Sequence, residues 1–344
     1  MSRHPSASAA LEVVRSLDAA GRHQESYEAL GRACRQGDLV AMSELGHRLL
    51  VGDRTPMSPQ HALPLLIEAM RGGEPRALAR GAALTAAGVY VQQGWDGALQ
   101  MLGQAAAAGD AAARAQLASL QPARAPAADW ATMAARVPLA QWLQPVAPVA
   151  LHEKLQHVPN LVPLPVCAWL IGRAEGRLQP ALVYDSVDRK VEVHRMRTNT
   201  MAMYDYATLD VVQILVQARM ALACGYRIQH FEQPTILHYN VGEQITPHFD
   251  FIDAKARDYA QQIEERGQRM ITFLLYLNDA YEGGETTFPE LGLVHRGRPG
   301  DGLYFINAHP DLSPDRRMLH TGSPPTAGEK WVVTQFISSK ALRP

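Results

Sequence analysis

The sequence predicts an α+β protein in two parts, an N-terminal α-solenoid followed by a double-stranded β-helix of the small jelly-roll kind. Three observations carry this. Gly, Ala and Leu recur at a fixed period of 36 residues through the first third of the chain. Beyond Pro145, short runs rich in β-branched and aromatic residues alternate with Gly/Pro turn signals. Between the two regions lies a Pro/Ala-rich stretch, Gln121 to Ala128, which reads as a linker. The expected domains are residues 1–125 and 126–344.

The repeat is read from matched positions. Gly37-Asp38, Gly73-Glu74 and Gly109-Asp110 are each followed by Ala at one offset, namely Ala41, Ala77 and Ala113. Ala33, Ala69 and Ala105 precede them, and Leu30, Leu66 and Leu102 recur in step. A period of this length is the signature of stacked helix pairs. Ala lets helices approach closely and Leu fills the gap between them. The Gly suits a left-handed helix end, and the acidic residue after it can cap the next helix. Residues 8–120 resemble short tetratricopeptide-like (Sel-like) repeats. That resemblance implies protein binding; the alternative is a scaffold or dimerisation arm. Trp130 to Trp142 reads as one more short helix leading into the second domain.

The second part is expected to begin with strands at Ala181–Tyr184 and Lys190–His194 around an Asp185-Ser-Val-Asp turn. A helix follows over Leu209–Cys224, closed by Gly225. Further strands are expected at Thr235–Asn240, Met270–Leu277, Glu285–Phe288, Gly302–Ile306 and Trp331–Ser338. Glu282-Gly283-Gly284 and Arg298-Pro-Gly-Asp301 supply turns. Many short strands after a supporting helix suggest the jelly roll.

Composition narrows the function. Hydrophobic residues make up 47% and charged residues 19% of the 344, which are globular values. A net charge of −1 and the lack of a long Lys/Arg run argue against nucleic acid or an anionic membrane as partner. No window approaches 18 uninterrupted apolar residues, and no signal-peptide core follows the first residues. Cys34, Cys167 and Cys224 are widely spaced, which fits a reducing compartment; the expected location is cytoplasmic.

Chemistry is concentrated between Thr235 and Phe251, which ends in His248-Phe249-Asp250. On a strand, residues i and i+2 share a face, so an imidazole and a carboxylate can reach one metal ion. With 13 His and 34 acidic residues, about one such pair is expected by chance, so spacing alone decides nothing. His23-Gln24-Glu25 lies in a helical context, where i and i+2 diverge. His309-Pro310-Asp311 carries a proline that biases it to an irregular segment. His320, ten residues before Lys330, can close a 2-His-1-carboxylate face that leaves positions open on Fe(II). A lysine buried in a barrel needs an anion to meet, and a metal-held dicarboxylate would serve.

In order along the chain, Tyr239 to Asp250, Arg269 to Leu277, Glu282 to Pro289, His309-Pro-Asp and Gly328 to Trp331 resemble the catalytic domain of prolyl 4-hydroxylases, within the Fe(II)/2-oxoglutarate-dependent dioxygenases. The match runs from about Val191 to Ser338. It implies His248, Asp250 and His320 as iron ligands and catalytic residues. It also implies that Lys330, with the hydroxyls of Tyr239 and Thr286, binds the distal carboxylate of 2-oxoglutarate, and that Arg269 lies near the peptide substrate. Fe(II), 2-oxoglutarate, O2 and ascorbate are the implied cofactors, and a protein or peptide is the implied partner, recruited by the helical repeats. The sequence departs from the pattern at Phe336, where several relatives carry Trp, and in a longer loop from Asp253 to Gly267. Hydroxylation of a free amino acid or small metabolite, or a non-catalytic interaction role, are the alternatives. A zinc hydrolase would need a general base and leave Lys330 unexplained, and halogenating relatives lack the carboxylate that Asp250 supplies.

Overall fold

The computed structural model describes residues 9–122, 128–181, 183–185, 190–192, 197–205, 208–253 and 259–342. Most of the expected linker lies outside these residues. So do the turn after Asp185, the end of the strand expected at Lys190–His194 and part of the Asp253–Gly267 loop. The chain forms two compact units, Met1–Pro138 with Asp205–Ile214 and Leu139–Tyr204 with Leu215–Pro344.

The first unit is built from helices packed in consecutive pairs: Ala9–Ala19 on His23–Arg35, Leu39–Val51 on Pro59–Arg71, and Pro75–Ala87 on Trp95–Ala107. The repeat positions do what their chemistry suggests. Leu30, Leu66 and Leu102 are buried, as are Ala41, Ala77 and Ala113. Gly37, Gly73 and Gly109 take φ of +84°, +78° and +102°, which a residue with Cβ adopts only with strain. Immediately after them, the carboxylates of Asp38, Glu74 and Asp110 accept from the backbone N–H of Ala41, Ala77 and Ala113. Each cap satisfies at least one of the donors that a helix start leaves orphaned. The expected helix over Trp130–Trp142 is instead two, Trp130–Ala135 and Leu139–Trp142. Pro138 separates them because its ring lacks an N–H and resists a helix interior.

The second unit is organised by two antiparallel sheets. The larger has eight strands in the order Val149–His152, Leu155–Val158, Gly302–Ile306, Arg269–Tyr276, Lys330–Ser338, Thr235–Tyr239, Thr200–Met203 and Gln179–Pro180. The smaller has four, in the order Leu293–His295, Thr286–Phe288, His320–Gly322 and Ile245–His248. Residues of both sheets, among them Leu237, Phe288, Phe305 and Val332, meet in one buried cluster. This is the jelly-roll arrangement the strand pattern suggested. The helix Val211–Cys224 ends at Gly225 with φ +75°, as expected. The sequence reading did not anticipate the helix Leu164–Glu175, the first two strands, or the helix Tyr259–Arg266 inside the long loop.

The strand Lys330–Ser338 fixes the inner surface. Its alternate residues Lys330, Val332, Thr334 and Phe336 all line one cavity, as the two-residue period of a strand requires. Pairing places Lys330 opposite Tyr239, Val332 between Leu237 and Tyr276, and Phe336 beside Thr272.

Candidate active site

Two short strands of the smaller sheet bring distant parts of the chain together. His320 and His248 are direct cross-strand partners, with an irregularity between His320 and Gly322. Their ring centroids are 4.2 Å apart. Asp250, two residues past His248, sits between them. Its Oδ1 is 3.4 Å from His248 Nε2, and its Oδ2 is 3.3 Å from His320 Nε2. The three donor atoms lie within 4.8 Å of one another. No other His, Cys, Asp or Glu group among the described residues converges in this way.

The tautomers are set by the backbone. His248 Nδ1 donates to the Thr246 carbonyl at 2.9 Å, and His320 Nδ1 donates to the Met318 carbonyl at 3.1 Å. Both imidazoles thereby turn Nε2 toward Asp250, which is how metal-ligating histidines are commonly oriented. The aromatic rings of Phe305 and Phe288 hold His320 in place, at 4.7 and 5.6 Å between centroids. Burial alone would raise the Asp250 carboxyl, but the His320 and His248 imidazoles outweigh it and hold it well below the usual range. For His320, burial opposes the charged form, and the Asp250 carboxylate overcomes this and raises it. Protons and a metal ion therefore compete for the same three donors.

The cavity beside this cluster has a volume of about 60 Å³ and opens to solvent. His248 keeps 22% of its side-chain surface exposed while Asp250 and His320 keep 8% and 7%, so access is from the His248 side. Lys330 is at the closed end, only 3% exposed. Its Nζ donates to the Gly284 carbonyl at 2.8 Å and lies 5.3 Å from the Tyr239 ring centre. Gly283 and Gly284 take successive φ of +66° and +69°, the turn that presents this carbonyl. Burial lowers the Lys330 pKa to about 8, against a smaller opposing pull from Glu285. Burial likewise pushes the Tyr239 phenol up to about 12, so it stays a neutral donor. Thr286 lines the same cavity and shares a 3.0 Å hydrogen bond with the Tyr276 hydroxyl.

Other sequence candidates are held elsewhere. His23 pairs loosely with Asp18, and His309 lies 3.8 Å from Asp315 with 41% of its side chain exposed. A further pair, His230-Phe231-Glu232, is divided between Ser338 and Arg269. Arg269 does not line the cavity. Its guanidinium makes two 2.9 Å bonds to Glu232 and covers the ring of the cavity-lining Phe336 at 3.8 Å. Sequence reasoning missed Thr272, Tyr276, Asn307, Gly284 and the cavity-lining Arg197. The alternation of Thr272, Leu274 and Tyr276 along one strand was the available signal for two of them.

Residues 234–338 match the family model of the 2OG-Fe(II) oxygenase superfamily. In Arabidopsis thaliana, "Probable prolyl 4-hydroxylase 3" is 30% identical over 198 residues, covering 52% of this chain and 67% of that protein. The chain belongs to this oxygenase superfamily. "Probable prolyl 4-hydroxylase 7" of the same plant is 30% identical over 194 residues, 51% of this chain and 60% of that protein. The chain thus spans about 60% of the first relative's length. Among solved structures, the viral collagen prolyl hydroxylase of Paramecium bursaria Chlorella virus-1 in its 2OG complex is 21% identical, with a TM-score of 0.42, over 55% of this chain and 97% of that one. Fe(II) and 2-oxoglutarate are the cofactor and co-substrate of the 2OG-Fe(II) oxygenases. The donor set suits ferrous iron: two imidazoles and one carboxylate, with no thiolate, would leave further positions for substrate.

Proposed function

We propose that the protein is an Fe(II)- and 2-oxoglutarate-dependent hydroxylase acting on a prolyl residue of a protein or peptide. The observation that carries this is the convergence of His248, Asp250 and His320 in a cavity whose closed end holds the buried cation Lys330. When bound, ferrous iron and 2-oxoglutarate supply oxidative chemistry in which decarboxylation to succinate and CO2 accompanies insertion of one oxygen atom of O2 into a C–H bond.

His248, Asp250 and His320 are the proposed ligands, and the Thr246 and Met318 carbonyls keep both imidazoles ready without rearrangement. Lys330 is the proposed partner of the distal carboxylate, with Tyr239 and Thr286 donating beside it. A charge-assisted bond here replaces the neutral Gly284 carbonyl as the best available acceptor. Phe336 and Arg197 line the same cavity and are proposed to border the reacting prolyl ring. In this reading Arg269 and Glu232 position Phe336 rather than touch substrate. Ascorbate is proposed as the reductant that restores iron oxidised in turnovers that miss the substrate. The helical repeats are proposed to recruit the rest of a protein substrate, supported by their repeat architecture.

The test is turnover. Protein purified without oxygen is given Fe(II), 2-oxoglutarate, O2 and proline-containing peptides, and succinate and a 16 Da gain on a prolyl residue are measured. Succinate formation with the gain on a free amino acid alone would move the reading to a metabolite hydroxylase. No succinate with any substrate would sink it.

A further inference from the structure

We propose that Thr272 and Asn307 decide how Asp250 meets the metal, holding back one carboxylate oxygen so that only the other is offered. This rests on the metal-site reading above. Thr272 Oγ1 donates to Asp250 Oδ2 at 2.7 Å. A threonine hydroxyl has a single proton, so its direction depends on what else surrounds the oxygen. Here Asn307 Nδ2 donates to that oxygen at 2.9 Å, filling an acceptor position and leaving the proton to Asp250.

The relay is rigid. Thr272 and Asn307 are 1% and 0% exposed. The Asn307 N–H donates to the Met270 carbonyl, and its own carbonyl accepts from Asp315, so the backbone is held on both sides. Asn307 Oδ1, also buried, has no hydrogen-bond partner. Turning the amide over would put that acceptor against the Thr272 hydroxyl and draw its proton away from Asp250. The orientation in the structure leaves one acceptor unpaired and keeps Asp250 supplied.

The consequence concerns coordination number. A carboxylate with both oxygens free can chelate an ion through two positions. Oδ2 is shared between the Thr272 hydroxyl at 2.7 Å and His320 Nε2 at 3.3 Å. Asp250 would therefore offer a bound ion Oδ1, 3.4 Å from His248 Nε2, and leave a position for the co-substrates. Thr272 and Asn307 are thus positioning residues acting through Asp250.

Co(II) serves as a spectroscopic probe of the full-length protein. Thr272→Val is expected to weaken Co(II) binding by roughly 10–100-fold, as loss of an outer partner does, and to change the visible absorption that reports coordination number. Thr272→Ser should restore both, and Asn307→Ala should weaken binding with the metal-free protein still melting cooperatively. Wild-type affinity and spectrum in Thr272→Val overturn the proposal, as does failure of Thr272→Ser to restore them. Should Thr272→Val not fold, an Asn307→Ala protein with wild-type affinity and spectrum overturns it instead. A wild-type protein that takes up no Co(II) removes the metal-site reading itself, which separates the two failures.

Discussion

The helical unit and the sheet unit use their residues in opposite ways. In the first, one job is done three times by like residues at a fixed spacing: Leu30, Leu66 and Leu102 fill, Gly37, Gly73 and Gly109 turn, and Asp38, Glu74 and Asp110 cap. In the second, each site residue is used once, and its partners come from far along the chain. Asp250 depends on Thr272, Thr272 on Asn307, and Lys330 on Gly284. Redundant, local interactions make stability close to a sum over repeats. A convergent site is not a sum, because removing one member strands the others. Substitutions in the two units should therefore differ in kind as well as size.

The largest effect is expected at the metal. His248→Ala removes one of three donors from the more exposed side of the cluster, so the fold should survive. Co(II) uptake should fall by more than the ~10–100-fold of an outer-partner loss, with succinate formation falling in parallel. Isothermal titration and a turnover assay read both, and full turnover in this variant would void the ligand assignment. In the wild type, metal binding should weaken as pH falls. Asp250 raises the His320 pKa, so the proton begins to compete at a higher pH than for a free imidazole.

Leu66→Ala is the matching test for the repeat unit. The side chain is 2% exposed, and truncating a buried Leu costs about 2–5 kcal/mol. Leu102→Ala, at the same repeat position, should cost the same within about 1 kcal/mol. Urea denaturation measures both. Strongly unequal costs would show that the repeats are not equivalent, whatever their spacing suggests.

Lys330→Met separates stability from function in one residue. The ammonium is nearly fully buried, and its pKa of about 8 lies below the ordinary 10.5. The folded protein therefore favours the neutral amine. The penalty is present in full below about pH 8 and is relieved as pH rises from 8 toward 10.5, where the unfolded chain holds the extra proton. At pH 7 that penalty is on the order of 3 kcal/mol, while an unpaired Gly284 carbonyl would cost about 1–3 kcal/mol. The variant should be as stable as wild type or slightly more so without ligand. It should lose roughly 10-fold or more in 2-oxoglutarate affinity, the worth of a charge-assisted bond. In the wild type that affinity should decline as pH rises through about 8, since binding must then bring a proton with it.

These differences explain what was legible in the sequence. The repeat was readable because period 36 places identical demands on identical residues. The convergence of His248, Asp250 and His320 could be anticipated because ordered motifs surround them, although His-x-Asp spacing alone was not decisive. Thr272 and Asn307 were hidden: 35 residues apart, each is an ordinary polar residue in a strand or at its end, and only the pairing of Ile271 with Ile306 brings them together. Arg269 was legible from its motif, but the Glu232 and Phe336 contacts that hold it were not. Its bidentate partner Glu232 lies 37 residues upstream and has no motif to announce it. Lone cross-strand partners leave no periodic trace, whereas repeated ones do.

The smallest predicted effect probes the finest level of the comparison. Substituting Ala for Asp38, Glu74 or Asp110 removes a helix cap, worth about 1 kcal/mol in each case. Their geometry ranks them. Asp38 accepts from two backbone N–H groups, Val40 and Ala41, both at 3.0 Å. Glu74 and Asp110 each accept from one, at 2.6 and 2.7 Å. Asp38→Ala should therefore be the most destabilising of the three, by a few tenths of a kcal/mol over the others. Because each cap serves only its own helix start, double variants should add, and Co(II) affinity should not move. Additivity fails for coupled residues and holds for distant, independent ones. A Glu74→Ala/Asp110→Ala protein that lost much more than the sum of its parts would mean the repeats share a cooperative link that their even spacing conceals.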